Sequence, residues 1–176
     1  MAPSTCSPRT TAPSALGGPA DTGKNNPRAR TSFRWVPNGI PGVGTRLPIL
    51  FSEGVSRGRI SMQRFVALTS TNPARLYGLY PRKGSIAVGA DADLTLWDAN
   101  LTRSIRQADL NHGCDHTPYE GREVTGWPVR TLLRGRTVAL DGAPAGEPTG
   151  TYLPRRTSEA FEGEDARLPP PALRHA

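Results

Sequence analysis

The sequence of 176 residues predicts an α+β fold, in which short helices come first and strands follow them. Apolar residues recur at helical spacing up to about residue 80. After Pro81 they alternate with polar residues, as in strands that bury one face. Residues 1–31 and 155–176 are rich in Pro, Ala and Arg and hold few large apolar side chains. We expect both ends to be disordered, because they cannot bury enough apolar surface to form a core.

The first two helices are predicted from their apolar spacing and their end signals. The first covers about residues 45–56 and stops before Gly58, with Pro48 near enough to its first turn to be tolerated. The second begins after Ser61, a residue type that favours the N-cap position. The expected apolar faces are Leu47, Leu50, Phe51 and Val55 in the first helix and Met62, Phe65, Val66 and Leu68 in the second.

The third helix is predicted from a start signal and a stop signal. Asn72 is a natural N-cap, and Pro73 fits the first helical position because its missing N–H would have no helical partner there. Gly78 can adopt the left-handed conformation that ends many helices. A short helix between Asn72 and Gly78 is therefore expected.

Strands are predicted after Pro81 because apolar and polar residues alternate there. Ile86 and Val88 precede Gly89 in the first alternating stretch. In the second stretch the residues expected to face the core are Ala92, Leu94 and Leu96, opposite Asp93, Thr95 and Trp97.

A hairpin is predicted near the end of the folded part. Residues 129–134 and 137–140 flank Gly135-Arg136, a two-residue connection with Gly first, which suits a type II′ turn. Asp141-Gly142 closes the second strand.

Charge and cysteine content narrow the classes of partner. The formal net charge of +7 comes from 22 Lys and Arg against 15 Asp and Glu, but the basic residues are scattered and no aromatic residues interleave with them. We therefore expect no nucleic-acid partner. Cys6 and Cys114 give no disulfide framework, which fits a reduced, cytoplasmic setting. Since no apolar run is long enough to cross a bilayer, no membrane partner is expected.

Residues 35–46, Trp-Val-Pro-Asn-Gly-Ile-Pro-Gly-Val-Gly-Thr-Arg, place three Gly and two Pro around Asn38. Such a backbone makes tight turns, which leave N–H and C=O groups free of strand ladders. Two interpretations stay open. The segment is either a structural turn before the first helix or a loop that grips a polar ligand with main-chain groups.

Several segments resemble, in the same order, landmarks of the cyclic amidohydrolases of the dihydropyrimidinase and D-hydantoinase type. They are Pro37-Asn38-Gly39, residues 50–55 and 58–61, residues 69–98, Thr117-Pro118-Tyr119-Glu120-Gly121 and Gly126-Trp127-Pro128-Val129. The resemblance covers about residues 33–154. It implies the last helices of a metal-dependent (β/α)8 barrel, followed by strands of a small β-sandwich.

The resemblance also implies roles for single residues. Asn38 matches the Asn that holds the cyclic imide or ureide ring in this family, and Arg46 matches the Arg of the same motif. Gly44 departs from the family pattern, which usually has an acid there. Asn38 is therefore the predicted substrate-binding residue.

No metal-binding or catalytic residue is predicted in this chain. The resemblance implies two divalent metal ions of the zinc type in the full-length family, since hydrolysis of a cyclic amide needs a strong nucleophile at neutral pH. A His-x-His pair and a carboxylated Lys belong to that site, but this chain has no His-x-His. Lys83 matches a surface turn instead of the bridging Lys.

One cluster of potential ligands stands outside the family pattern. His112 and His116 enclose Cys114 and Asp115, and these four residue types can bind metals. Gly113 disfavours a helix that would present them together. We expect solvated or interface residues here instead of ligands.

The resemblance divides the chain into four parts. Residues 1–31 are expected to be a non-homologous N-terminal stretch, and 155–176 a disordered tail. Residues 32–82 would form the terminal loop and helices of the barrel, and 83–154 the sandwich portion with a connecting arm.

Two functions are compatible with these predictions. The chain is expected to be part of a cyclic amidohydrolase that opens dihydropyrimidines or hydantoins, inactive alone because the metal ligands are absent. Its partners would then be further copies or the missing barrel portion. The alternative is a non-catalytic oligomerisation module derived from the same family.

Overall fold

A computed structural model describes residues 26–36 and 39–155. The chain divides into two compact units, each built from two separate stretches. Unit 1 comprises Met1–Arg57 and Asp98–Trp127, and unit 2 comprises Gly58–Trp97 and Pro128–Ala176. Within the described part of the chain, no helix has both the length and the apolar character needed to cross a membrane.

The described chain begins inside the stretch that was predicted to be disordered. Pro27–Arg30 form a short 3₁₀ helix, which differs from that prediction. The side chain of Asn26, which is buried, accepts a hydrogen bond of 2.9 Å from the Arg28 N–H, and Pro27 supplies a fixed φ at the start of the turn. A second 3₁₀ turn covers Phe33–Trp35. The rest of the two predicted disordered ends, residues 1–25 and 156–176, lies outside the described residues.

Helix α1 spans Val43–Leu50 and continues as a π-helical segment over Phe51–Ser56. The predicted helix over 45–56 is thus confirmed, with a start two residues earlier. The predicted apolar face is correct for Phe51, which is buried, but wrong in detail for the others. Besides Phe51, the buried residues of this helical run are Thr45, Pro48, Ser52 and Gly54. Leu47, Leu50 and Val55 are half-buried. A π turn holds more residues than an α turn, so it rotates the side chains after Phe51, including Val55, around the axis.

Helices α2 and α3 form one continuous helical run. Helix α2 spans Met62–Val66, a π-helical segment covers Ala67–Thr71, and α3 follows directly at Asn72–Leu76. The predicted cap at Ser61 is confirmed, since its Oγ accepts a hydrogen bond of 3.1 Å from the Arg64 N–H.

The predicted N-cap at Asn72 is wrong. Asn72 has helical angles of φ −65° and ψ −44°, so no new helix starts there. Pro73 follows the π turn of Ala67–Thr71 as the second residue of α3. Thr69 supports the same turn by donating from Oγ1 to the Phe65 carbonyl at 2.8 Å. The helix ends as predicted at Gly78, which adopts a φ of +65°.

The apolar stripe predicted for the second helix is only partly buried. Phe65 is 5% exposed and packs edge-on against Trp97 in the same unit, with ring centres 5.5 Å apart. Met62, Val66 and Leu68 are 43%, 45% and 40% exposed. Much of the face that the sequence pattern assigns to a core is therefore uncovered within the described residues.

Among the residues that the structure describes, four strands form one sheet in the order β1-β2-β3-β4. They are β1 at Leu94–Ser104, β2 at Glu123–Leu133, β3 at Arg136–Leu140 and β4 at Ala143–Pro144. The pairs β2–β3 and β3–β4 are antiparallel. A 3₁₀ turn, Gln107–Asp109, lies between β1 and β2. Helices followed by an antiparallel sheet confirm the predicted α+β class.

No strand includes Ile86 or Val88, so that prediction is wrong. Both side chains are exposed, and the backbone around them turns instead, with hydrogen bonds from Ala90 N to Ala87 O and from Asp91 N to Arg82 O. The predicted core face of β1 is also wrong at Leu96, which is 45% exposed. Trp97, assigned to the opposite face, packs on Phe65 instead.

The predicted hairpin is confirmed, but its turn is one residue earlier. Leu133 pairs with Arg136, so Arg134-Gly135 form the two-residue connection. Both have positive φ, +48° and +79°, as a type I′ turn requires and a type II′ turn does not. Asp141-Gly142 repeat this pattern, with φ of +49° and +87°, between β3 and β4.

Candidate functional site

The predicted substrate-binding residue, Asn38, lies outside the described residues, and the chain directly after it forms a glycine turn, residues 39–45. Gly39 has a φ of +92°, a conformation that residues with a Cβ rarely adopt. Pro41 is buried. The Gly42 carbonyl then accepts hydrogen bonds from Thr45 N at 3.2 Å, Arg46 N at 2.9 Å and Thr45 Oγ1 at 3.2 Å. The far end of the glycine turn is therefore tied to the first turn of α1.

The start of α1 lacks the side chains that usually stabilise a helix N-terminus. Gly42 is the N-cap and offers no side-chain hydrogen bond, and no acid lies in the first turn. Gly44 occupies the position at which, by the resemblance, the family usually has an acid. A carboxylate there would interact favourably with the helix dipole, so its absence removes one stabilising contact from α1. Arg46, the second motif residue, is exposed.

Two residues from the second stretch of unit 1 face the glycine turn across the space that a side chain at Gly42 or Gly44 would fill. A methyl group placed on Gly42 would be 3.8 Å from Cε2 of Tyr119, and one placed on Gly44 would be 3.8 Å from Cδ2 of Leu110. These are ordinary van der Waals distances. Tyr119 lies within one of the segments that resemble the family, but the sequence predicts no role for it. Proximity between stretches that are distant in sequence cannot be predicted from local sequence patterns.

The π-helical segment that continues α1 is joined to strand β2, and to the residue before it, by two polar contacts and one contact of an aromatic ring. Ser52 Oγ accepts a hydrogen bond of 3.1 Å from Thr125 N, and Arg122 donates to Glu53 at 2.7 Å. The ring of Phe51 lies directly over Gly126, in space that any Cβ at that position would need. These contacts fix the helix that follows the glycine turn within unit 1.

The His112–His116 cluster does not have the geometry of a metal site. Nδ1 of His112 accepts a hydrogen bond of 3.2 Å from Cys114 N, so this nitrogen is already engaged. Nε2 is buried and has no hydrogen-bond partner among the described residues. Nδ1 of His116 lies 3.2 Å from Asp115 Oδ1.

The residues described here therefore do not fit the two metal ions that the family implies. Across residues 26–36 and 39–155, no three His, Cys, Asp or Glu side chains converge on one point. We expected solvated or interface residues in the His112–His116 cluster. The solvated alternative is wrong for Cys114, which is 8% exposed and whose carbonyl accepts a hydrogen bond from Gln107 Nε2, and the interface alternative stays a prediction.

Lys83 lies in a turn, as predicted, at the centre of a charge cluster in unit 2. Its Nζ contacts Asp91 at 2.8 Å and also pairs with Asp93, while Arg82 binds Asp91 at 3.0 Å. The Lys83 hydrogen bond, opposed by partial desolvation and helped by Arg82, lowers the pKa of Asp91. Desolvation alone would lower the pKa of Lys83, but the hydrogen bonds and charges of Asp91 and Asp93 together raise it.

Comparison with known proteins defines the class. A family model described as the amidohydrolase family matches residues 43–138, more than half of the chain. The chain therefore belongs to the amidohydrolase family. The matched residues run from the first residue of α1 into β3.

Proteins with similar sequences and structures show which branch of the amidohydrolase family the chain resembles. A D-hydantoinase from Ralstonia pickettii is 46% identical over 130 residues, and a D-phenylhydantoinase from Escherichia coli is 44% identical over 129 residues. A solved D-hydantoinase structure superposes with a TM-score of 0.69 at 46% identity, and a dihydropyrimidinase from Brevibacillus agri with 0.64 at 42%. These place the chain in the hydantoinase and dihydropyrimidinase branch, which confirms the resemblance.

The match covers most of this chain but a minor part of each relative. It takes in 73% of this chain and 28% of the Ralstonia pickettii and Escherichia coli enzymes. For the two solved structures it takes in 73% and 68% of this chain, and 28% and 26% of theirs. The chain therefore spans little more than a quarter of the length of these relatives.

Proposed function

We propose that this chain supplies the ring-binding turn and the small sheet of a cyclic amidohydrolase that opens hydantoins or dihydropyrimidines. Asn38 would hold the cyclic amide or ureide ring at the start of the glycine turn. The observation that carries the proposal is the 46% identity to a D-hydantoinase over 130 residues, a stretch long enough to include the helices and the sheet. Relatives named hydantoinase, phenylhydantoinase and dihydropyrimidinase give the substrate class.

The chain is proposed to act together with a metal-bearing portion instead of alone. The described residues bring no metal ligands together, so no hydrolytic step is assigned to them. Their contribution would be binding: the glycine turn carries the ring contact, and α1 fixes the turn through the contacts that its π-helical continuation makes to β2. The domain boundaries at residues 32–82 and 83–154 and a cytoplasmic location remain predictions.

A hybrid enzyme tests the role of Asn38. Residues 33–154 would replace the matching region of the Ralstonia pickettii D-hydantoinase, and ring opening of hydantoin and dihydrouracil would be followed with zinc or manganese present. We expect turnover, and we expect Asn38→Ala to lower kcat/KM by about 10- to 100-fold, the loss that follows when a ring hydrogen bond is removed. Arg46→Ala, at an exposed motif position, serves as the control. Equal activity of the hybrid with and without the Asn38→Ala substitution would rule out the ring-binding role.

The alternative proposal, a non-catalytic assembly module, is favoured by one feature of unit 2. Its helical run leaves a set of large apolar side chains uncovered, namely Met62, Val66, Leu68, Leu76 and Tyr77. Such a surface is typical of a protein contact. Light scattering on the purified chain would then show a defined oligomer whose mass falls when Val66 and Leu76 are replaced by Asp. A monomer at all concentrations would exclude self-assembly.

A further inference from the structure

A cleft of about 500 Å³ lies within unit 2 and shares no residue with the glycine turn. Residues 93–95, 131–133 and Val138 line it from the side of the sheet, and residues 144–150 line it from the segment that begins in β4. Sites for small molecules have volumes of roughly 300–1,000 Å³. The cleft is therefore large enough to hold a ligand.

Residues 145–151 form a strap along the cleft that is fixed at both ends. At one end, Ala145 N donates to Val138 O at 2.9 Å. At the other end, the guanidinium of Arg134 donates to Thr151 Oγ1 at 2.6 Å and also to the Thr149 carbonyl. Residues 146–148, between these two anchors, make no hydrogen bond with any other described residue. The part of the strap that lines the cleft is therefore held in place only by its ends.

Arg134 holds the strap from an unfavourable backbone position. It has a φ of +48° at the first position of the β2–β3 turn, where Asn, Asp and Gly are favoured because a larger side chain is strained there. Its N–H donates to Asp93 Oδ1 at 2.8 Å. The side chains of Asn and Asp are too short to make the two contacts that the guanidinium makes. The arginine thus offsets its strain with contacts that shape the cleft.

The charge of the cleft lining is negative. Among its described residues, Asp93 and Glu147 are acidic and none is basic. Asp93 accepts the hydrogen bond from Arg134 N and pairs with Lys83, so its charge is compensated. Glu147 is exposed and has no hydrogen bond or ion pair with another described residue. Its carboxylate is therefore available to a positively charged group of a ligand.

We propose that this cleft binds a small molecule that has an apolar body and a positively charged amine. The apolar body covers Leu94, Leu132 and Val138, which line the cleft and are only half-buried, so binding removes their apolar surface from water. The amine pairs with Glu147. The proposal goes beyond the opening of cyclic amides and does not depend on it.

An NMR titration of the full chain tests the proposal. The probes are cyclohexylmethylamine, cyclohexylmethanol and cyclohexanecarboxylate at pH 7, which share one apolar ring and differ in charge. The signals are the amide groups of Ala145, Gly146 and Thr149, and the Arg64 amide, outside the cleft lining, is the reference. We expect saturable shifts at the strap alone. The amine should bind about three- to fivefold more tightly than the alcohol, as one exposed ion pair allows, and the carboxylate should bind most weakly.

Two variants separate the role of the charge from that of the strap. Glu147→Gln should lower the affinity for the amine to that for the alcohol. Asp141→Asn removes an exposed acid of unit 2 that does not line the cleft, so the preference for the amine should remain. Arg134→Asn keeps a residue that suits the turn but releases the strap, so the amine and the alcohol should both bind more weakly by the same factor.

Three results would overturn the proposed site. They are the absence of saturable shifts with every probe, equal affinities for the amine and the alcohol in the unaltered chain, and loss of the preference in Asp141→Asn as well as in Glu147→Gln. Unchanged affinities in Arg134→Asn would overturn the role of the strap. None of these measurements involves hydrolysis, so failure of the cleft proposal and failure of the hybrid enzyme are distinguishable.

Discussion

Gly126 and the ring of Phe51 occupy adjoining space so closely that position 126 accepts no side chain. Gly126 also has a φ of +94°, so a Cβ would add backbone strain to the steric clash. We predict that Gly126→Ala lowers the free energy of unfolding by about 3 kcal/mol, the sum of left-handed strain and overpacking. Urea unfolding followed by tryptophan fluorescence would measure it.

Gly121 is the matched control for that substitution. It has a φ of +75° but no atoms within 4 Å of an added Cβ, so only the backbone strain applies. Gly121→Ala should cost about 1 kcal/mol. Equal losses at the two positions would show that the Phe51 contact contributes nothing.

The Lys83 cluster predicts how stability depends on pH. The pKa of Asp91 is lowered on folding, so its contribution is present above an unfolded value of about 4 and is lost as pH falls below it. The pKa of Lys83 is raised, so its contribution is present below about 10.4 and is lost as pH rises through the higher folded value. Between these limits the contribution of the pair is constant.

The measurement compares urea midpoints at pH 3, 7 and 11. Lys83→Met should remove the cluster's alkaline loss, and it should reduce its acid loss without abolishing it, since Arg82 still pairs with Asp91. Asp109 is an exposed acid outside the cluster, so Asp109→Asn should leave both the acid loss and the alkaline loss of stability unchanged. An unchanged profile in Lys83→Met would contradict the coupling.

At the scale of single elements, the sequence predicts two helix N-caps, and the structure contains only one of them. Both Ser61 and Asn72 have the residue type of an N-cap, but only Ser61 makes the hydrogen bond, and Asn72 lies within a continuous helical run. We predict that Ser61→Ala costs about 1 kcal/mol and Asn72→Ala less than about 0.5 kcal/mol. Thermal unfolding of both variants checks this. A larger loss at Asn72 would mean that a helix does start there.

The elements that the sequence predicts well are those set by local chemistry. The hairpin, the Ser61 cap and the Gly78 stop depend on a few adjacent residues, and all three are present. The segment at Ile86 and Val88, predicted to be a strand, forms turns instead, with main-chain hydrogen bonds from Ala90 N to Ala87 O and from Asp91 N to Arg82 O, and ion pairs of Arg82 and Lys83 with Asp91 and Asp93 lie at its two ends. Such contacts depend on side-chain reach, which alternation of apolar residues does not reveal.

At the scale of the whole chain, the α+β class follows from the order of patterns, but the composition of the units does not. Each unit joins two distant stretches, and the contacts that define unit 1, such as Phe51 with Gly126, link residues far apart in sequence. At the candidate site, too, only the local part could be predicted from the sequence. The glycine turn is evident from its own residues, whereas Tyr119 and Leu110 come next to it only in the folded chain.

The most direct test of the central claim is the hydrolytic activity of the isolated chain. The purified chain would be incubated with hydantoin and dihydrouracil in the presence of zinc or manganese, beside the Ralstonia pickettii D-hydantoinase in the same assay. If the chain supplies only the ring-binding turn and the small sheet, ring opening should not rise above the metal-only background. Turnover that depends on the chain and is lost in Asn38→Ala would contradict the requirement for a metal-bearing portion.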